Sequence, residues 1–75
     1  MSDVQTTQDL HNKFVLLVKD FATDLVEQGM YESEHDAREA ILVTHEDDFL
    51  EMYEAELTEA EKHWFWDHRF ELNFN

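Results

Sequence analysis

The sequence predicts an all-α fold, a small bundle of about four helices in which residues 1–75 form a single acidic domain with a short aromatic C-terminal tail. The 75 residues include one glycine and no proline, so the residues that interrupt helices are nearly absent. Apolar side chains recur at spacings of three and four. Four serine or threonine residues are each followed, three positions later, by an acidic residue, a pattern typical of helix N-termini.

The first helix is predicted over residues 7–28. Thr6 with Asp9 marks its beginning, and Gly29 lies where a left-handed residue is expected to end it. Five apolar residues at helical spacing predict its buried face: Leu10, Phe14, Leu17, Phe21 and Leu25.

Three shorter helices follow, and the second and third either join or kink near Thr44. Their predicted starts are Ser33 with Asp36, Thr44 with Asp47, and Thr58 with Glu61. The expected buried residues are Ala37, Ala40 and Ile41 in the second helix, and Phe49, Leu50, Tyr53 and Leu57 in the third. The fourth helix continues through residues 62–66.

The last residues alternate between apolar and polar, because Phe70, Leu72 and Phe74 are each followed by a polar residue. A period of two is typical of a strand, but a lone strand has no partner in a helical domain. We therefore expect an extended tail packed into the core. The alternative is a strand edge that pairs with a second chain.

The overall charge indicates the class of partner. Nineteen acidic residues against five lysines and arginines give a net charge of −14, which disfavours direct binding to nucleic acid or to an anionic membrane. We therefore expect a basic partner. No signal peptide is visible, the longest apolar run (residues 14–18) is too short to span a bilayer, and cysteine is absent, so a cytoplasmic location is expected.

Neither catalysis nor a bound cofactor is predicted. No serine, cysteine or lysine lies in a recognisable nucleophile motif, so we expect a non-enzymatic protein. His63 lies four residues from both Glu59 and Asp67, but such pairs lack the further ligands that zinc needs. Residues 46–48 lack the glycine and the ligand spacing of a calcium loop, so no metal site is predicted.

The negative charge is concentrated in the middle of the chain. Residues 1–31 carry a net charge of −3 and residues 62–75 are neutral, whereas residues 32–61 carry −11 with Arg38 as their only base. Few compensating pairs within helices are possible there, and like charges four residues apart repel. We predict that these acids bind a partner: Glu32, Glu34, Asp36, Glu39, Glu46, Asp47, Asp48, Glu51, Glu54, Glu56, Glu59 and Glu61.

The spacing of these carboxylates favours mimicry of a nucleic acid. Residues three or four apart on a helix stand about 5–6 Å apart at Cβ, comparable with the spacing of successive phosphates on one strand. Such a surface could occupy a basic groove built for DNA, with salt-sensitive binding. The alternative is that the acids serve solubility or adaptation to salt.

The C-terminal aromatic residues are the second candidate binding feature. Large rings in a small domain commonly fill the core, but exposed rings serve as interface anchors. The possible hydrophobic anchors are Trp64, Trp66, Phe70 and Phe74, the last three sharing a face if the fourth helix continues. A dimer through this end is the simplest form of that alternative, although we expect a monomer.

By its size, its helical content and the acid-rich segment from Glu32 to Glu61, the chain resembles the acidic DNA-mimic inhibitors of phages and mobile elements, the anti-CRISPR and anti-restriction proteins. The resemblance implies a stoichiometric inhibitor, acting in the cytoplasm of a bacterial host, that occupies the target-DNA channel of a CRISPR effector complex. These families share no motif, so the acids are nominated by charge alone.

The chain also resembles the immunity proteins of colicin nucleases, which are small, acidic, four-helix inhibitors. Met52-Tyr53-Glu54 stands where those proteins carry a double-tyrosine-proline motif. This resemblance implies neutralisation of a basic nuclease, and an antitoxin against a basic toxin is physically similar. A further alternative is an adaptor that binds through its aromatic C-terminus.

Overall fold

The computed structural model describes residues 7–74 and confirms the all-α fold. That part of the chain forms four α-helices and two short 3₁₀ turns, with no strand. In chain order these are α1 (Thr7–Glu27), α2 (Glu34–Val43), α3 (Glu46–Met52), a first 3₁₀ turn (Glu54–Glu56), α4 (Glu59–His68) and a second 3₁₀ turn (Arg69–Glu71). None of the helices in the described residues is long and apolar enough to cross a bilayer.

The end of α1 is confirmed at the predicted glycine. Gly29 has φ 82°, a left-handed conformation that a side chain would strain. The Gly29 N–H donates to the Val26 carbonyl at 3.0 Å, and the Met30 N–H donates to the Leu25 carbonyl at 3.1 Å. These two bonds are those of a Schellman motif, which satisfies the last carbonyls of the helix. The predicted start signal at Thr6 lies outside the described residues.

The predicted starts of α2 and α4 are confirmed by their capping bonds. The Ser33 hydroxyl accepts from the Asp36 N–H at 3.2 Å. At α4, the Thr58 hydroxyl accepts from the Glu61 N–H at 3.1 Å, and the Glu61 carboxylate accepts from the Thr58 N–H at 2.8 Å. This reciprocal pair is a complete capping box.

The predicted start of α3 is wrong. Thr44 ends α2 instead, since its N–H donates to the Ala40 carbonyl at 2.7 Å, and α3 begins at Glu46. His45 occupies the position before α3 and makes no side-chain capping bond. Because the Thr44 backbone completes α2, its hydroxyl is one residue too early to cap the next helix. The two helices are therefore separate.

Phenylalanine rings from three helices meet at the centre of the core. Phe49 of α3 lies at its centre, with ring centroids 6.2 Å from Phe14 of α1 and 5.0 Å from Phe65 of α4. All three rings are fully buried. Of the predicted core residues, Leu10, Leu17 and Ala40 are only partly buried, and the others are buried. Buried residues that the pattern did not single out include Val18, Ala22 and Leu42.

The C-terminal tail packs on the core, as expected, but it is not a strand. Leu72 is buried, Phe74 packs against the core, and the Asn73 N–H donates to His11 Nε2 at 3.0 Å. Phe70 departs from the predicted alternation, because it lies in the second 3₁₀ turn and is 66% exposed. Since α4 ends at His68, the predicted face shared by Trp66, Phe70 and Phe74 does not form.

Candidate functional site

The exposed carboxylates of α3 and the turn after it form the centre of the candidate site. Phe49 and Leu50 point into the core, so the alternate side of α3 presents Asp47, Asp48 and Glu51 to solvent. The first turn of α3 consists entirely of acids, a position where the helix dipole favours negative charge. Glu54 and Glu56 continue the exposed acidic surface along the first 3₁₀ turn.

Some of the twelve middle acids have basic partners that lie outside residues 32–61 in the sequence. Five of the twelve pair with a lysine or arginine, most of them through bases supplied by segments outside residues 32–61. Packing brings these bases close, which counting along the chain does not reveal. The pairs are Glu34–Arg38 (3.3 Å), Glu46–Arg69 (3.8 Å), Glu54–Lys62 (3.7 Å), Glu59–Lys62 (3.5 Å) and Glu61–Lys13 (2.9 Å).

The remaining seven acids have no lysine or arginine within salt-bridge distance among the described residues. Histidines approach two of them, with His35 2.9 Å from Glu39 and His45 3.5 Å from Asp48. These contacts carry charge only when the imidazole is protonated. The other five are Glu32, Asp36, Asp47, Glu51 and Glu56.

Glu61 does not belong to an exposed binding surface, which corrects its assignment to the partner-binding set. Its side chain is only 4% exposed, and Oε2 lies 2.9 Å from Lys13 Nζ. Lys13 also donates to the Glu56 carbonyl at 2.9 Å. The carboxylate therefore caps α4 and joins α4 to α1, a structural role.

Acids of α1 that sequence analysis did not nominate lie beside those of α3. Asp24 of α1 lines a groove with Asp48 and Glu51 of α3, and Met30 and Met52 stand in the same groove. Phe21 and Leu25 form its floor. We call this the acidic groove; its volume is about 440 Å³.

A second hollow adjoins the acidic groove at Met52. It has a volume of about 330 Å³, and Asp20 and Glu27 of α1 line it. No lysine or arginine lines either depression in the described part of the chain. The spacing of residues 20, 24 and 27, at intervals of four and three, predicts that these acids share one helix face, but it does not predict that this face lies beside α3.

Tyr53 reports the concentration of negative charge beside the second hollow. Its hydroxyl donates to Asp20 Oδ2 at 2.9 Å. Burial is the largest cause of a raised Tyr53 pKa, followed by the hydrogen bond to Asp20 and by the charges of Asp20, Glu56 and Asp24. Carboxylates from α1 and from the first 3₁₀ turn thus act on the same phenol, which places them near one another.

The four predicted hydrophobic anchors divide into two packed and two exposed residues. Trp64 stacks on Phe14 with centroids 5.6 Å apart and is partly buried, so it belongs to the core. Phe74 also packs against the core. Trp66 and Phe70 are 38% and 66% exposed and remain available to a partner.

Arg69 lies close to both exposed rings. The guanidinium of Arg69 lies 4.9 Å from the Trp66 centroid and 4.5 Å from the Phe70 centroid, and its Nε donates to the Leu42 carbonyl at 2.9 Å. Exposed Val43 lies beside Phe70 in a shallow hollow of about 200 Å³. We call exposed Val43 and Phe70 the apolar patch. It is distinct from the acidic groove, since the two hollows share no lining residue.

The histidines do not assemble with other ligands. Among residues 7–74 no group of three or more histidine or acidic side chains is arranged to hold a metal ion. His45 Nε2 lies 2.7 Å from the Tyr31 hydroxyl, and His11 Nε2 accepts the tail N–H already described.

Comparison of the chain with protein-family models, curated proteins and solved structures gives no match.

Proposed function

We propose that the chain is a non-enzymatic inhibitor that binds a basic, nucleic-acid-binding protein through its acidic surface and blocks access of nucleic acid. In the most specific form of this proposal, the chain is an anti-CRISPR protein that prevents a CRISPR effector complex from binding target DNA. The site residues are Asp47, Asp48 and Glu51 of α3, together with Asp20 and Asp24 of α1.

The observation that supports this proposal is that carboxylates of α1 and α3 line the acidic groove, that further α1 carboxylates line the adjoining hollow, and that no lysine or arginine lines either in the described residues. Like charges held close together repel, which lowers stability in the free protein. A cationic cleft that accepts several of these carboxylates relieves that repulsion on binding. Such complementarity also accelerates encounter and makes it sensitive to ionic strength.

The experiment is a displacement titration. A purified CRISPR effector complex loaded with guide RNA and bound to a fluorescent target duplex is titrated with the protein, and anisotropy reports the bound DNA. We expect DNA to be released at near-stoichiometric protein, with weaker competition as salt rises. Undiminished DNA binding with the protein in large excess, across effector complexes of different types, would refute the anti-CRISPR form of the proposal.

A nuclease partner is tested in the same way. An immunity protein or antitoxin presents the same acidic surface to the basic active site of a nuclease or toxin. Displacement of DNA from a basic nuclease, with no displacement from effector complexes, assigns the acidic surface to that alternative.

The exposed apolar patch favours one further candidate, an adaptor that binds through its C-terminal end. Phe70 is 66% exposed and Val43 is 59% exposed, although both are large apolar side chains. Removing the whole tail would disturb the core, because Leu72 is buried, so Phe70→Ser is the appropriate variant. If this patch carries the interaction, Phe70→Ser loses partner binding while reversal of the α3 acids does not.

A further inference from the structure

Two long apolar side chains stand exposed among the acids of the acidic groove. Met30 and Met52 are 53% and 57% exposed, and both line the acidic groove. Carboxylates can imitate phosphates, but exposed methionines in the same groove contribute nothing to that imitation.

The groove combines an apolar floor with an acidic rim. Phe21 and Leu25 are buried residues that line the groove together with the two exposed methionines, so an inserted side chain would meet apolar atoms of all four. Methionine side chains are unbranched and polarizable, which lets them adapt to ligands of differing shape.

The rim offers negative charge on either side of this apolar strip. Asp24 stands on the α1 side, and Asp48 and Glu51 stand on the α3 side. Asp20 and Glu27 extend the charge past Met52 into the second hollow. A ligand with an apolar stripe and with cations along both of its edges is complementary to this lining.

We infer that the acidic groove binds a basic amphipathic helix of the partner, with an apolar side chain inserted between Met30 and Met52 and lysines or arginines on the flanking acids. An amphipathic helix presents anchors at i, i+3, i+4 and i+7 and places cations along the edges of that stripe. This inference rests on the proposed function, since it names the element of the basic partner that the acidic surface engages. It differs from phosphate mimicry alone in requiring apolar contact.

Two synthetic peptides of identical leucine and lysine composition test the inference. In one, of about 18 residues, leucines occupy i, i+3, i+4 and i+7 so that a helix has one apolar stripe; in the other the same residues are scrambled. Binding of each labelled peptide to the protein is measured by fluorescence anisotropy at low and high salt. We expect the striped peptide to bind about tenfold more tightly, with the advantage retained at high salt because apolar contact is not screened.

Matched variants locate the contact. Met52→Ser and Met30→Ser should each weaken binding of the striped peptide by about tenfold. Leu16→Ser is the control, because Leu16 is 67% exposed on α1 and lines neither depression. All three positions are exposed, and circular dichroism verifies that each variant remains helical.

The outcomes separate this inference from the proposed function. Equal binding of the two peptides, no binding of either, or wild-type affinity in both methionine variants would overturn the groove as a helix-binding site. Displacement of DNA by the wild-type protein would still stand in those cases, because charge alone carries it. Conversely, tight binding of the striped peptide without DNA displacement from any basic partner would refute the proposed inhibition and leave the groove intact.

Discussion

Lys13 joins parts of the chain that are distant in sequence. Its ammonium lies 2.9 Å from the Glu61 carboxylate and donates to the Glu56 carbonyl, so one side chain holds α1 against α4 and the first 3₁₀ turn. Glu61 is nearly fully buried, and a buried carboxylate is stable only when it is paired and hydrogen-bonded. Glu61 is therefore not part of the exposed acidic surface, and its ion pair with Lys13 stabilises the fold.

Removing Lys13 should destabilise the fold. Lys13→Met removes the cation that pairs with the buried Glu61 carboxylate, and we expect a loss of about 1–3 kcal/mol in the free energy of unfolding, measured with urea. Lys19→Met is the control, because Lys19 is on the same helix and makes no ion pair among the described residues; it should change stability by less than about 0.5 kcal/mol. Adding Glu61→Gln to Lys13→Met should restore part of the loss, and no recovery would contradict the buried-charge explanation.

Tyr53 should make stability depend on pH in the alkaline range. Its pKa is raised in the folded protein above the ordinary value of about 10, so folding favours the protonated phenol. That contribution is fully present below about pH 10 and is lost as pH rises further, because the unfolded chain then binds fewer protons. We expect the free energy of unfolding to fall above about pH 10, with up to about 1.4 kcal/mol per pH unit from this group.

The variant Tyr53→Phe identifies that contribution. It removes the ionisable hydroxyl and should abolish this part of the alkaline slope, at the expense of about 1 kcal/mol at neutral pH from the lost bond to Asp20. Tyr31→Phe leaves Tyr53 in place and should retain the slope. Equal slopes in the wild type and Tyr53→Phe would contradict the assignment.

The helices differ in how their beginnings are fixed. The capping residues of α2 and α4 are readable from the sequence because a capping bond spans only three residues. α3 has no side-chain cap, and Thr44 resembles one only until its place at the end of α2 is known. The Thr44–Asp47 spacing is compatible both with the start of α3 and with the end of α2. Which of the two applies depends on where α2 ends, and the residues around Thr44 alone do not show this.

Substitutions of Thr58 and Thr44 test which of the two residues caps a helix. Thr58→Ala removes a capping box and should lower the free energy of unfolding by about 1–2 kcal/mol. Thr44→Ala removes no capping bond and should cost less than about 0.5 kcal/mol. Thermal denaturation of the two variants measures the difference, and equal destabilisation would mean that Thr44 has a capping role after all.

The candidate site could be predicted from the sequence only in part. The acids of α3 could be nominated from the charge of one segment, but Asp20 and Asp24 join them only through the packing of α1 beside α3. The exposure of Phe70 was equally unpredictable, because three alternating residues are compatible with both an extended tail and a 3₁₀ turn. The core was largely predictable, since helical spacing alone assigns Phe14, Phe21 and Phe49 to buried faces.

The net charge of −14 on 75 residues affects the stability of the whole fold. Some of it is neutralised by Lys13, Lys62 and Arg69, but the carboxylates that line the acidic groove have no lysine or arginine within salt-bridge distance among the described residues. Self-repulsion of this kind weakens the compact state and is relieved by counterions.

Stability should therefore rise with salt. Raising NaCl from about 0.01 M to about 0.1 M shortens the Debye length from about 30 Å to about 10 Å, which screens repulsion across the surface. We expect the melting temperature to increase over that range. The increase should be smaller in a variant carrying Asp47→Lys and Glu51→Lys, whose net charge is four units less negative; an unchanged or falling melting temperature in the wild type would contradict net repulsion.

Binding through the α3 acids is tested most directly by two variants of equal charge. Asp47→Lys with Glu51→Lys reverses two acids of α3, whereas Asp67→Lys with Glu71→Lys reverses two exposed acids at the C-terminal end. Both are compared with the wild type for displacement of DNA from the basic partner, after circular dichroism has verified their helicity. The α3 variant should lose displacement by at least about tenfold and the C-terminal variant should stay within about twofold. Equal losses, or full displacement by the α3 variant, would contradict a binding surface at α3.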